Sequence, residues 1–264
     1  MKVSLLIVAT NKYIKFLPKL LDSIQQYWMN DMKTDIHIFT DRVKDCDMLL
    51  SQNDYTKGFI EYHEVEHGPW PHATLYRFHF FKKHMAKITG HYVFYIDADT
   101  IITSPIGKDI LSPRTVVQHC GFVNGGGSWE TNQLSRAYTP PSLRKVYYGG
   151  GFWGADLINF KMLTDRAVDM INEDLAKGIM PIWHDESVLN AYMASAEPTR
   201  VLSPSYHYPE NNPRIWASWK EQYQCKILLL NKNHSEVQIP PLLAAYLKIH
   251  QQFYVLVLHL AFLQ

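Results

Sequence analysis

Apolar runs that alternate with helical patterns constrain this chain more than any other feature. Val3 to Ala9 is a nearly continuous apolar run, the mark of a strand covered on both faces. Phe16, Leu17, Leu20, Leu21, Ile24, Tyr27 and Trp28 then recur at steps of three and four, which predicts an amphipathic helix. Ile36–Thr40 and Phe59–Val65 are predicted as second and third strands. Ala73–Ile88 fits a helix, and Tyr92–Ile96 a fourth strand that runs directly into Asp97. Strand–helix–strand order with apolar strands predicts an α/β domain with a central, mostly parallel sheet flanked by helices. In such sheets ligands bind beyond the carboxyl ends of the strands. Thr10-Asn11-Lys12 follows the first strand and Asp97-Ala98-Asp99 the fourth, so both segments are placed at that edge.

The second half is less regular. Asn124–Ser128 is a glycine-rich loop, and Asp156–Ala176 and Glu186–Met193 have helical spacing. Ser203–Ser218, rich in Pro, Tyr and Asn, is predicted as an irregular loop. Residues 1–238 are read as one domain and 239–264 as an apolar tail. That tail falls short of the roughly 20 apolar residues of a spanning helix. A docked helix, a weak membrane-surface contact and a poorly ordered tail all fit it.

Composition excludes several classes. A formal net charge of +1 across 264 residues provides no basic field for nucleic acid. Cys46, Cys120 and Cys225 are far apart and odd in number, with no zinc-type spacing, which suits a reducing compartment. Lys2–Ala9 is read as a strand rather than a targeting segment, because its apolar core is brief and no small-residue cleavage site follows. The expected location is the cytoplasm, with no transmembrane anchor.

Four segments carry chemistry. Asp97 and Asp99, flanking the small Ala98, put two carboxylates on one turn, where they either cap it or hold one hard divalent cation against phosphate oxygens. Trp183-His184-Asp185-Glu186-Ser187 is either a helix start capped by Asp185 or a catalytic segment in which Glu186 faces the reacting carbon of a sugar. Gly149-Gly150-Gly151, between Tyr147-Tyr148 and Phe152-Trp153, is a plain turn or a backbone that a ligand approaches closely. Arg77 is a solvated surface side chain or a phosphate ligand. Lys232-Asn233-His234 has the same two readings, and His119 is a core histidine or a hydroxyl-binding group.

In order along the chain, NKYIKFL (from Asn11), FTD (Phe39), WPHATLYRF (Trp70), YVFYIDAD (Tyr92), SPIGKDIL (Ser104), SRAY (Ser135), YYGGGFWGA (Tyr147), IWHDESVLN (Ile182), VLSPSY (Val201) and KNH (Lys232) resemble glycosyltransferase family 6. That family includes the blood-group A and B transferases, the α-1,3-galactosyltransferases and smaller bacterial relatives. The resemblance covers roughly residues 3–235.

The resemblance implies a single-domain GT-A fold. It also implies retaining transfer of Gal or GalNAc from a UDP-sugar to the 3-hydroxyl of a β-galactoside, with Mn2+ or another divalent cation. Val8, Ala9, Thr10 and Tyr13 match the uracil and ribose contacts. Arg77, Ala98 and Lys232 fall near the diphosphate, and Asp97 and Asp99 match the metal pair. His184 and Asp185 match donor-sugar contacts, Glu186 the proposed nucleophile, and His119, Ser128 and Trp183 the acceptor side. Gly149, Gly150 and Gly151 match the segment that sorts Gal from GalNAc. Their missing side chains suggest space for an acetamido group, hence UDP-GalNAc over UDP-Gal. Pro209 and Glu210 stand where vertebrate members carry an acceptor-binding aspartate, and Gln238 replaces a tail arginine. A retaining transferase of another GT-A family, and a carbohydrate-binding protein without catalysis, are the rival readings.

Overall fold

The computed structural model describes residues 1–51, 54–212, 219 and 221–231. The tail from 239, together with Lys232-Asn233-His234 and Gln238, lies outside the described residues.

The main sheet has seven strands: β1 (Lys2–Val8), β2 (Lys33–Thr40), β3 (Ile60–Glu64), β4 (Tyr92–Ile96), β6 (Arg114–Val117), β7 (Phe152–Asp156) and β8 (Arg200–Leu202), in the order β3-β2-β1-β4-β7-β6-β8. All run parallel except β7, which is antiparallel to both β4 and β6. A three-stranded sheet of β5 (Thr100–Ile102), β10 (Ile227–Leu229) and β9 (Tyr208–Pro209) continues directly from the Asp97–Asp99 turn.

The period of two along the strands divides the core between the two faces of the sheet. Val3, Leu5, Ile7, Ile36, Ile38, Phe94 and Ile96 point to one side. There they meet Leu17, Leu20, Leu21 and Ile24 of α1 (Leu17–Tyr27) and Cys46 and Leu50 of α2 (Val43–Leu50). Leu6, Phe39, Val93, Tyr95, Trp153 and Ala155 point to the other, under α4 (Arg77–His84), α5 (Leu157–Ala176) and α6 (His184–Ser195). Burying each large apolar side chain contributes about 1.5–3 kcal/mol, so α1 alone supplies a large share of one layer. This is the α/β architecture expected of the GT-A type, with helices on both faces.

Three local expectations change. The helix expected over 73–88 is divided at Tyr76 (φ −84°, ψ 3°) into α3 (His72–Leu75) and α4, and ends in a 3-10 turn, Met85–Lys87. The segment from Ser203 is not wholly irregular: it holds a 3-10 turn, Pro204–Tyr206, and strand β9. Asp185 does not cap α6. Trp183 occupies that position, and its N–H is taken up by Ser187 Oγ at 3.0 Å. Asp156, by contrast, caps α5, accepting the Asn159 N–H at 2.8 Å.

Candidate active site

The carboxyl ends of β1 and β4 open onto a cavity of about 340 Å³, lined by Val8, Thr10, Asn11, Lys12, Tyr13, Arg77, Tyr95, Asp97, Ala98 and Asp99, with a loop from His67 to Trp70 along its rim. Both polar segments placed at this edge from the sequence are therefore present. Ala9 is buried behind them in the core. The rim joins the first loop through His67 Nδ1, 3.1 Å from Thr10 Oγ1, and His67 Nε2, 3.3 Å from Asn11 Nδ2.

Arg77 is not a surface residue; it is 4% exposed. Its Nη1 lies 3.4 Å from Asp97 Oδ1, 3.1 Å from Asp185 Oδ2 and 3.2 Å from the Gly150 carbonyl. Its Nε donates to the Thr74 carbonyl at 3.1 Å, and its guanidinium stacks over Tyr95 at 4.4 Å from the ring centroid. Burial alone would favour the neutral guanidine, but the Asp185 and Asp97 carboxylates outweigh it and raise the Arg77 pKa. One side chain thus draws the Asp97 turn, the glycine segment and the start of α6 into a single place.

Asp97 is held on every side. Its N–H donates to the Gly151 carbonyl at 2.8 Å, and its own carbonyl accepts from Thr100 Oγ1 at 2.7 Å. Tyr95, two residues earlier on the same strand face, donates its hydroxyl to Oδ1. Asp99 is 4% exposed, and its carbonyl accepts the Leu230 N–H at 3.0 Å, so the small sheet braces the turn from behind. Two carboxylates on one turn facing a cavity are a hard oxygen donor set and fit a divalent cation such as Mn2+.

The glycine segment connects this turn to α6. A Cβ at Gly149 would lie 2.7 Å from the His207 ring, one at Gly150 3.2 Å from Asp185 Oδ2, and one at Gly151 2.8 Å from Asp97 Oδ2. The absent side chains therefore make room for His207, Asp185 and Asp97. The room left by the missing side chains is taken up at these three positions by side chains of this protein, so it does not by itself select UDP-GalNAc over UDP-Gal.

Glu186 Oε2 accepts the Gly150 N–H at 2.8 Å. Burial raises Glu186 to about 7 against the hold of the Gly150 N–H, and raises Asp185 to about 6 against the pull of Arg77. His184 adopts φ +50°, packs edge-on against Trp70 at 4.8 Å and is lowered to about 4 by burial. Trp183, which precedes it, is half exposed and is not among the cavity-lining residues.

On the far side of Glu186 lie His119, Ser128 and Tyr147. The Tyr147 hydroxyl donates to the Ser128 carbonyl at 3.3 Å, and its ring meets His119 edge-on at 5.7 Å. His119, Cys120 and His207 bring their ligand atoms within 4.8 Å of one another. However, His119 Nδ1 accepts the Gly121 N–H at 2.9 Å and His207 Nδ1 accepts the Cys120 N–H at 3.4 Å. These donors hold both rings as neutral Nε2–H tautomers, the arrangement of hydrogen-bond donors rather than of metal ligands. A second such group, His37, Glu61 and His63, lies within the sheet, where His37 Nδ1 and His63 Nε2 share a hydrogen bond of 2.9 Å.

The geometry adds Tyr95, Tyr147, His67 and Trp70 to the residues singled out from sequence. Tyr95 was findable, because the strand period puts it on the same side as Asp97. The others depend on loops meeting across the fold.

Comparison with known proteins agrees with this arrangement. Residues 1–238 match the family described as Glycosyltransferase family 6. Histo-blood group ABO system transferase 1 of Rattus norvegicus is 30% identical over 252 residues, covering 89% of this chain and 68% of its own length. Globoside alpha-1,3-N-acetylgalactosaminyltransferase 1 of Gallus gallus is 26% identical over 236 residues, 87% of this chain and 67% of its own. The O-antigen biosynthesis glycosyltransferase WbnI of Escherichia coli is 28% identical over 240 residues, 88% of this chain and 95% of its own. No helix among the described residues is long and apolar enough to cross a membrane. With the sheet and the family match in agreement, the chain belongs to glycosyltransferase family 6.

Proposed function

We propose that this glycosyltransferase moves GalNAc or Gal from a UDP-sugar to the 3-hydroxyl of a β-galactoside, with retention of anomeric configuration and a divalent cation held by Asp97 and Asp99. The observation that carries this reading is the Arg77 junction. It brings the Asp97 and Asp185 carboxylates and the Gly150 carbonyl onto one buried cation beside the cavity, with Glu186 on the Gly150 N–H. The name of the globoside alpha-1,3-N-acetylgalactosaminyltransferase, a relative, supports the sugar and the linkage.

The nucleotide is proposed to lie along Val8, Thr10 and Tyr13, with Ala9 packed behind them, and the diphosphate along Arg77, Ala98 and the aspartate pair. The cation, when bound, neutralises the leaving diphosphate. Lys232, outside the described residues, is proposed to add charge there. His184, Asp185 and the Gly149–Gly151 backbone orient the donor sugar, while His119, Ser128 and Trp183 hold the acceptor. Glu186 either bonds to the anomeric carbon as UDP leaves, or stabilises the cationic sugar while the acceptor attacks from the same face. Both routes require Glu186 to be ionised.

UDP release from UDP-GalNAc and UDP-Gal, with a lactose acceptor and Mn2+, tests the reading. Turnover is expected to disappear with chelator and to fall about 10³-fold or more in Glu186→Gln, with UDP affinity kept. Undiminished turnover in Glu186→Gln would refute the catalytic role. No release from either donor would favour a sugar-binding protein. A donor competition assay separates GalNAc from Gal.

A further inference from the structure

The acceptor-side loop and the start of α6 are joined by a buried carboxylate that belongs to neither the donor cavity nor the catalytic segment. Glu130 is 6% exposed. Its Oε1 accepts the Asn132 N–H at 2.8 Å, within its own loop. Its Oε2 accepts the Ile182 N–H at 2.7 Å, across 52 residues of sequence. Ile182 immediately precedes Trp183, and His184 after it holds the left-handed conformation (φ +50°). A non-glycine residue stays there only where its surroundings over-determine it.

The loop that carries Glu130 is itself fixed. Asp174 of α5 accepts from Ser135 Oγ and from the Arg136 N–H, both at 2.6 Å. Upstream, the Ser128 carbonyl takes the hydroxyl of Tyr147, whose residue begins the segment that leads to Gly150 and its bond to Glu186. Glu130 thus connects a loop anchored on α5 to the turn that aims Trp183 and Glu186.

We propose that Glu130 is a positioning residue for the reaction. By holding the Ile182 N–H, it sets the register in which α6 starts, and so couples the acceptor-side loop to the placement of Glu186. This rests on the proposed function for its effect on turnover, but the tether itself does not.

The test is Glu130→Gln in the full chain. The amide keeps an oxygen for one N–H donor and turns its NH2 against the other, without changing shape. Hydrogen exchange followed by mass spectrometry is expected to speed up about tenfold or more over residues 182–187, while peptides of α5 stay unchanged. Turnover is expected to fall on the order of 10²-fold, because a shift of about 1 Å at the reacting groups is enough for that loss. The KM for the UDP-sugar should stay within about twofold while that for the acceptor rises. A merely structural role would spread faster exchange through α5 and leave both KM values unchanged; that result overturns the proposal. So does unchanged exchange over 182–187, or loosened exchange with wild-type turnover. If Glu186→Gln keeps its turnover, the catalytic reading fails, while the exchange measurement still decides whether Glu130 holds the turn.

Discussion

At the scale of single residues, Glu186 shows what the site costs the fold. Its carboxyl is raised to about 7 from an ordinary value of 4.5, chiefly by burial. A carboxyl raised in the folded state favours folding fully only below its unfolded pKa, and that contribution is lost as pH rises through 7. At pH 8 the native state therefore carries a buried charge that the unfolded chain would hydrate, a penalty on the order of 3 kcal/mol. Glu186→Gln should be more stable than the parent at pH 8, by a few °C in Tm, with the gain gone near pH 4. Thermal melts at the two pH values check this; an equal shift at both would contradict it. The same ionisation sets the rate. On the acid limb of its profile kcat/KM should rise with pH and level off above about 7.

At the scale of elements, the segment from Gly149 into β7 separates two uses of glycine. At Gly154 a Cβ would sit 2.3 Å from the Phe94 ring, in a core with no slack. Gly154→Ala should cost about 1–3 kcal/mol in urea unfolding. At Gly151 the obstacle is the tip of Asp97, a side chain facing the cavity. Gly151→Ala should unfold nearly as the parent does, yet need about tenfold more Mn2+ for half-maximal turnover, because it displaces a proposed ligand. A loss of stability in Gly151→Ala as large as that in Gly154→Ala would show that both glycines serve packing alone. Elements with a full period were legible from sequence: β1, β4, α1 and α5 fall within a residue or two of their expected bounds. α2 was missed because Cys46 and Leu50 are its only buried residues, too few to mark a face. β5, β8 and β10 have three residues each, less than two periods of alternation. The sequence leaves Asp185 open between a cap of α6 and a site residue, because an aspartate beside a helix start serves either; here Arg77 claims it.

At the scale of the whole molecule, Arg77 is where the halves of the chain meet. Sequence left it open between surface and site, since nothing near it in the chain shows what it touches. Its partners are 20, 73 and 108 residues away, on the β4 turn, the glycine segment and α6. Closing those long loops is what creates the cavity, and the ionic junction holds them closed. Replacing the guanidinium by a chain of similar length, Arg77→Met, keeps apolar packing over Tyr95 but leaves Asp185 buried without its cation. Breaking a buried pair from one side costs about 3–5 kcal/mol while the remaining group is charged. With Arg77 present, Asp185 already sits at about 6. Without it, the influence opposing burial is gone and the pKa must rise further. The raised carboxyl then destabilises the fold increasingly as pH climbs. Urea unfolding of Arg77→Met should therefore show a large loss relative to the parent at pH 8 and a clearly smaller one at pH 5, where Asp185 is protonated. Equal losses at the two pH values would mean that Arg77 contributes through its packing on Tyr95 and its bonds to the Thr74 and Gly150 carbonyls. In that case the cavity would be held together by shape, and the carboxylates of the site would be free of the arginine's charge.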